Sequence, residues 1–254
     1  MLGHLIRLRK PAHRIVSLVP SQTELLFDLG LEDQVIGITK FCIHPSTWLQ
    51  SKKNVGGTKN IHIDAIRELQ PDLIIANKEE NVEKDILELQ KYFPVWISDV
   101  NTLSEALIMI REIGILCNRA ETAKNLIAEI KNQFSSINNS SRFTGKKAVY
   151  YIWKNPWLTA GHHTFIDAMI SACGLHNAST NNRYPEISPK ELAKLDIDYV
   201  FLSSEPYPFR EDEKEHLSSF IDSKKIIFVD GTYFSWYGSR LKKAPTYFKS
   251  LIYS

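Results

Sequence analysis

Residues 102–137 read TLSEALIMIREIGILCNRAETAKNLIAEIKNQFSSI. Leu103, Ala106, Leu107, Ile110, Ile113, Gly114, Cys117, Ala120, Ala123, Ile127, Ile130 and Phe134 recur every three or four residues, the spacing of one face of an α-helix. Thr102 and Glu105 have the spacing of a capping box, in which two side chains satisfy backbone N–H groups at a helix start. The segment is expected as one long amphipathic helix, or as two in line with a break near Asn118. At about 1.5 Å per residue it would run roughly 50 Å, more than a small lobe needs. It therefore reads as a spine between two lobes.

Upstream of that spine, short apolar runs alternate with helical patterns. RIVSLVP (14–20) is a strand ended by Pro20, and SQTELLFDLGL (21–31) a helix with Ser21 and Glu24 as a capping box and Gly30 as its C-cap. VIGITKF (35–41) is a second strand, IHIDAIREL (61–69) a short helix, PDLIIA (71–76) and VWISD (95–99) buried strands. Strand-helix alternation of this kind builds an α/β layer around a parallel sheet. Downstream, the polar tract NNSSRFTGKK (138–147) reads as a linker. The first pattern then partly returns. AVYYIW is a strand, TFIDAMISACGL a helix ended by Gly174-Leu175 as Gly30-Leu31 ends the first, ELAKLDIDYVFL parallels AIRELQPDLIIA, and IIFVD parallels VWISD. The fold class is α/β: two α/β lobes (1–100 and 138–254) with central parallel sheets, joined by a long backbone helix (101–137), with a ligand cleft between the lobes.

Composition narrows the function. A chain of 254 residues, 43% hydrophobic and 24% charged with a net charge of +2, is an ordinary globular protein. No block of like charge marks a nucleic-acid arm, so nucleic acid is excluded as the expected partner. Cys42, Cys117 and Cys173 lack metal-knuckle spacing and are odd in number, which makes them small core residues. Arg7, Arg9 and Lys10 interrupt the apolar N-terminus, so no signal h-region is expected and the chain reads as cytoplasmic as written unless a leader was omitted. No stretch approaches a membrane span. A monomer without membrane insertion is expected.

In open parallel sheets, ligands sit beyond the carboxyl ends of the strands. The loops there collect aromatic and cationic residues: Phe41, Trp153, Trp157, Tyr233, Phe234, Trp236 and Tyr237 beside Lys40, Lys59, Lys78, Lys154 and Arg240. Rings can stack on a large flat ligand and cations can pair with its acid groups. The densest case is VDGTYFSWYGSRL (229–241), read as one wall of a ligand pocket with Arg240 reaching to a phosphate, carboxylate or backbone carbonyl. The alternative is that Phe234 and Trp236 pack inward while Tyr233 and Tyr237 face out.

PSQTELLFDLGLEDQVIGIT, VGGTKNIHIDAIRELQPDLIIA, TFIDAMISACGLHNA, EISPKELAKLDIDYVFLSSEPYPF and VDGTYFSWYGSRL occur in that order. Together they resemble the class III substrate-binding proteins of ABC importers for cobalamin, ferric siderophores and haem, from about Arg14 to Leu251. The resemblance implies two lobes on a stiff helix, no intrinsic cofactor, and a non-enzymatic role binding a metal chelate, cobalamin or another corrinoid first, ferric siderophore or haem second. The candidate ligand-binding residues are Ser21, Gln22, Phe41, Thr58, Lys59, Asn77, Lys78, Trp153, Tyr233, Trp236, Tyr237 and Arg240. Where some cobalamin-binding members clamp the corrin with tryptophans, this sequence has Thr58, Asn77 and Tyr233. Docking to an ABC permease is expected through an acidic residue on each lobe. The first is Asp64; the second position holds Lys190, with Glu191 one place later and three after Ser188, as in a helix cap. The family implies the periplasm or the cell surface.

Other chemistry has less behind it. His162-His163 and Cys42-x-His44 suggest metal ligands, but no third or fourth ligand accompanies them, so no metal site is expected; His44 or Tyr233 is an alternative ligand to haem iron. There is no G-x-S-x-G elbow, and Gly56-Gly57-Thr58-Lys59 lacks the full P-loop pattern, so no catalytic residue is assigned. The alternatives are an enzyme on the same two-lobe scaffold acting on a corrinoid or chelate, and a cytosolic carrier or sensor.

Overall fold

Aliphatic runs followed by helices give strands that must return in the same direction, and parallel pairing follows. A computed structural model describes residues 6–137 and 143–253. In chain order the first part comprises β1 (Ile15–Ser17), α1 (Pro20–Asp28), β2 (Val35–Ile38), α2 (Trp48–Ser51), β3 (Lys53–Asn54), β4 (Gly56–Gly57), β5 (Asn60–Ile61), α3 (Ile63–Leu69), β6 (Leu73–Asn77), α4 (Glu83–Gln90) and β7 (Val95–Ser98). Then come α5 (Leu103–Leu116), α6 (Ala120–Ser135), β8 (Lys147–Trp153), β9 (Leu158–Thr159), α7 (Phe165–Ala172), β10 (His176–Asn177), α8 (Pro189–Leu192), β11 (Tyr199–Ser203), α9 (Glu211–Ser218), β12 (Ile226–Val229), α10 (Thr232–Ser235) and α11 (Ala244–Tyr253).

The chain divides into two compact units. One comprises Met1–Val100, Ser104–Glu129 and Tyr237–Arg240; the other Asn101–Leu103, Ile130–Trp236 and Leu241–Ser254. One of the boundaries between them, after Glu129, falls inside α6. The first unit carries a parallel sheet in the order β3-β2-β1-β6-β7, with Val16 opposite Ile74 and Ile74 opposite Val95. Its core joins Val16, Leu18, Ile74 and Ala76 to Ile66, Ile86 and Leu89 from the helices. The second unit carries β10-β8-β11-β12, also parallel, with β9 antiparallel on β8. Val149, Tyr151, Val200 and Leu202 pack there with Leu192 and Leu217. The fold is thus mixed α/β with parallel sheets, as the strand-helix alternation requires.

The parallel between Gly30-Leu31 and Gly174-Leu175 is structural. At the end of α1, Gly30 sits at φ +71°, Leu31 N–H donates to the Leu26 carbonyl (3.1 Å) and Gly30 N–H to Phe27 (2.8 Å). At the end of α7, Gly174 sits at φ +85°, Leu175 N–H donates to Ile170 (3.2 Å) and Gly174 N–H to Ser171 (2.9 Å). Both are Schellman endings, which need a left-handed residue and so favour glycine.

Three local expectations need correction. Residues 102–137 are two helices interrupted at Asn118, which takes φ +54°. They do not continue in line. An ideal Cβ on Gly114 would lie 2.4 Å from the Ala123 Cβ, whereas residues nine apart in a straight helix are about 13 Å apart. The chain therefore turns, and only glycine at 114 lets α6 approach α5 so closely. Next, Ser21 and Glu24 do not form a capping box: α1 starts one residue earlier, with Pro20 at its first position and Val19 as an N-cap that makes no side-chain bond. Lastly, the tract 138–147 lies only partly within the described residues, and its Phe143 is fully buried, edge-on to Tyr199 at 5.0 Å. All three cysteines are free and buried, as core residues should be.

Candidate functional site

VGGTKNI folds as a hairpin, β4 pairing antiparallel with β5 around the two-residue turn Thr58-Lys59. Gly56 takes φ +99°, and a Cβ there would lie 2.4 Å from the Asn60 carbonyl oxygen, so glycine is required. Val55 N–H donates to Ile38 (3.0 Å) and Lys40 N–H to Gly56 (2.9 Å). These bonds hold the hairpin against the loop after β2. Between them lies a cavity of about 520 Å³ lined by Lys40, Phe41, Asn54, Gly56, Gly57, Lys59, Asn60 and His62. Phe41 is half exposed, and a side chain at 57 would approach its ring to 3.2 Å. The Lys40 ammonium lies 5.1 Å from the same ring centre, a cation-π distance. Phe41 and Lys59 were expected at a ligand site; Asn54, Asn60 and His62 were not, because VGGTKNI went unread as a hairpin. Its signal was a glycine pair and a polar two-residue turn between Val55 and Ile61.

The cavity adjoins a polar network at the carboxyl ends of β1, β6 and β7. Asn81 donates through Nδ2 to the carbonyls of Leu18 (3.3 Å) and Thr58 (3.1 Å), and its Oδ1 accepts from Asn77 N–H (2.9 Å). The Lys59 ammonium donates to the Glu79 carbonyl. Asn77 is 2% exposed, donating to Ser98 Oγ and accepting from the Glu79 and Glu80 N–H groups. Gln22, fully buried, donates to the same Ser98 Oγ at 2.5 Å. Ser21 is buried beside it, its Oγ without a hydrogen-bond partner among the described residues. Lys78 is exposed and pairs with Asp99 at 2.7 Å. Thus Phe41, Thr58 and Lys59 stand at the surface of one region, while Gln22 and Asn77 brace it from beneath.

The aromatic stretch is mostly interior. Phe234 is fully buried, and Trp236 and Tyr237 are each 6% exposed, so the expected ring wall is reduced to Tyr233. Trp236 turns in because its Nε1–H donates to Glu205 Oε1 (2.8 Å). Tyr233, half-buried, stacks on Tyr247 with ring centres 4.3 Å apart. Arg240 is committed to protein: it donates twice to the Glu24 carboxylate, at 2.9 and 2.8 Å. Trp153, 40% exposed at the end of β8, meets Tyr207 edge-on at 5.7 Å. Beside it Lys154 pairs with Glu213 at 2.7 Å. Burial alone raises the Glu213 carboxyl, but donation from Lys154, the Arg210 N–H and the Tyr207 hydroxyl holds it below the ordinary range.

Asp64 is exposed in the first turn of α3, 3.9 Å from Arg67. Glu191 closes a true capping box with Ser188 at the start of α8, and the Ser188 hydroxyl and N–H depress its carboxyl. His162 lies 3.3 Å from Asp167. The Cys42 thiol is buried and pushed up by desolvation, against hydrogen bonds from Thr23 and Thr39; burial pushes Cys117 to about 12. No group of three or more His, Cys, Asp or Glu side chains suited to a metal occurs among the described residues. No helix among them is long and apolar enough to cross a membrane.

The chain is 25% identical over 197 residues to the vitamin B12-binding protein of Vibrio campbellii, covering 76% of this chain and 71% of that one. It is 25% identical over 205 residues to an uncharacterized ABC transporter substrate-binding lipoprotein, YvrC, of Bacillus subtilis, covering 77% and 65%. The periplasmic heme-binding protein RhuT from Roseiflexus sp. RS-1 shares the fold, with a TM-score of 0.82 at 20% identity over 95% of this chain and 98% of that one. Residues 15–224, from the first strand of one sheet to the turn before the last strand of the other, match the family of periplasmic binding proteins, and the chain belongs to that family.

Proposed function

We propose that this protein is a substrate-binding protein of the ABC-importer type that captures a metal chelate, a corrinoid first and a ferric siderophore or haem second, and releases it chemically unchanged. Membership of the periplasmic binding protein family over residues 15–224 carries the reading, and the vitamin B12-binding relative supports the choice of ligand. The cavity at the carboxyl edge of the first sheet agrees with it: one open aromatic ring, two lysines and an imidazole around a glycine floor suit a bulky ligand with polar arms. The permease is the protein partner, met through Asp64 and, on the second unit, Glu191. Glu191 reaches that role only if its carboxylate serves α8 and the partner together.

Titration with cyanocobalamin, dicyanocobinamide, haemin and ferric hydroxamates, followed by quenching of the five tryptophans, tests the proposal. At least one is expected to bind below about 1 µM, which corresponds to about −8 kcal/mol, and to be recovered with its mass and absorption spectrum unaltered. Failure of all of them at that level overturns the ligand class; turnover of a bound chelate overturns the non-enzymatic role in favour of an enzyme on this scaffold.

A further inference from the structure

The cavity of the first unit has a one-sided charge. Its lining holds two ammonium groups and an imidazole, and no carboxylate. Neither lysine has a carboxylate partner among the described residues. Lys59 rests on the Glu79 backbone carbonyl, and Lys40 on the face of Phe41. By contrast, Lys78, Lys91, Lys124, Lys146 and Lys147 each meet an acid within 4.0 Å, so an incoming anion would have to displace a protein carboxylate there. The backbone also keeps this space open. Gly56 cannot carry a side chain, and one at Gly57 would press on Phe41.

From this we propose that the cavity is a subsite for an acidic arm of the chelate, a carboxylate held by Lys40 and Lys59, with Phe41 covering the adjacent apolar edge. The proposal rests on the chelate-binding reading and narrows it, favouring haem and corrinoids with free carboxylates over cobalamin and cobinamide, whose arms are amides. The protein should select ligands that keep free carboxylates on their periphery over the same core with those carboxylates masked. Uncompensated ammonium groups gain more from an incoming anion than groups that must first leave a protein acid. The apolar ring meanwhile limits water around the pair and so raises its strength.

Paired probes test this in the full chain. Haemin is compared with haemin dimethyl ester, and cobyrinic acid with its heptamethyl ester, by tryptophan quenching. In the wild type, the acid form of whichever core binds is expected to be preferred by about ten-fold or more, with a preference that shrinks as salt rises. The double variant Lys40→Gln, Lys59→Gln is expected to reduce that ratio to about three-fold or less. Phe41→Ala, which keeps both charges, should weaken acid and ester together and leave the ratio. Both lysines are exposed, so the double variant should fold, which its melting curve checks. Equal binding of acid and ester by the wild type, or an undiminished ratio in the double variant, overturns the acidic-arm subsite while leaving the chelate reading standing. Failure of both cores in both forms while another chelate binds overturns the subsite alone; failure of these and of the cobalamin, cobinamide and ferric hydroxamate probes overturns the chelate reading itself, and the subsite with it.

Discussion

Gly114 and Glu24 show how single residues carry information that local pattern does not display. Within the helical period of 102–137, Gly114 looks like any small residue of the buried face. In the fold it is where α5 and α6 touch, and its missing methyl matters because Ala123 occupies the space. Overpacking at such a contact costs about 1–3 kcal/mol, more than helix propensity gains from alanine. Gly114→Ala is therefore expected to lower the urea midpoint, and Ala123→Gly added to it should restore part of the loss, since it empties the same volume. If Gly114→Ala is neutral or stabilising, the close approach of the two helices is wrong. Glu24 misled in a different way. Its spacing from Ser21 is that of a capping box, yet its carboxylate is taken by Arg240, 216 positions away. Spacing reports neighbours along the chain, whereas a two-point guanidinium pair, 11% and 16% exposed, depends on the fold being complete. The same pair removes Arg240 from the groups free to meet a ligand.

At the scale of elements, what the sequence disclosed is what local chemistry determines. Both Schellman endings were legible because a glycine at the end of a helical period has one common use. The Ser188-Glu191 capping box was legible for the same reason: its four residues make all of its bonds. Its pH behaviour follows from those bonds. The Ser188 hydroxyl and N–H favour the ionised Glu191, so its carboxyl titrates lower in the folded protein than in the unfolded chain. The contribution to stability is then fully present above the unfolded value, about 4.3, and is lost as pH falls through the folded value. Ser188→Ala removes the hydroxyl donor and the cap. The Glu191 carboxyl midpoint, followed by NMR, should rise toward the ordinary range, and the acid limb of the stability profile should flatten. An unchanged midpoint would show that the box is not closed in solution. The β4–β5 hairpin was missed for an opposite reason: its strands are two residues each, too short for any periodicity. The break at Asn118 was legible as a position, but not the turn of the chain there, which is set by packing against Gly114.

For the whole molecule, alternation of strands and helices revealed the parallel sheets, because a parallel neighbour can be reached only by a crossover. It could not reveal that Tyr237–Arg240 belongs with the first unit, since that depends on contacts with residues more than 200 positions earlier, such as that of Gly238, where a Cβ would lie 2.3 Å from the Ser21 carbonyl oxygen. Nor could it show which rings of 229–241 face inward: burial of Trp236 follows from Glu205, a partner from another loop. The two sheets also have separate cores, one around Val16, Ile74 and Leu89, the other around Val149, Val200 and Leu217, with no residue in common. Strands flanked on both sides, β2, β1 and β6 in one sheet and β8 and β11 in the other, should hold the slowest-exchanging amides, because opening them requires breaking a core. Ile74 is fully buried, and Ile→Ala at such a site costs about 2–5 kcal/mol. Ile74→Ala is therefore expected to speed exchange in β1 and β6 by that free energy while leaving β8 and β11 close to their wild-type rates. Equal acceleration in both sheets would mean that they open as one cooperative body, and that their separate cores do not make them energetically separate.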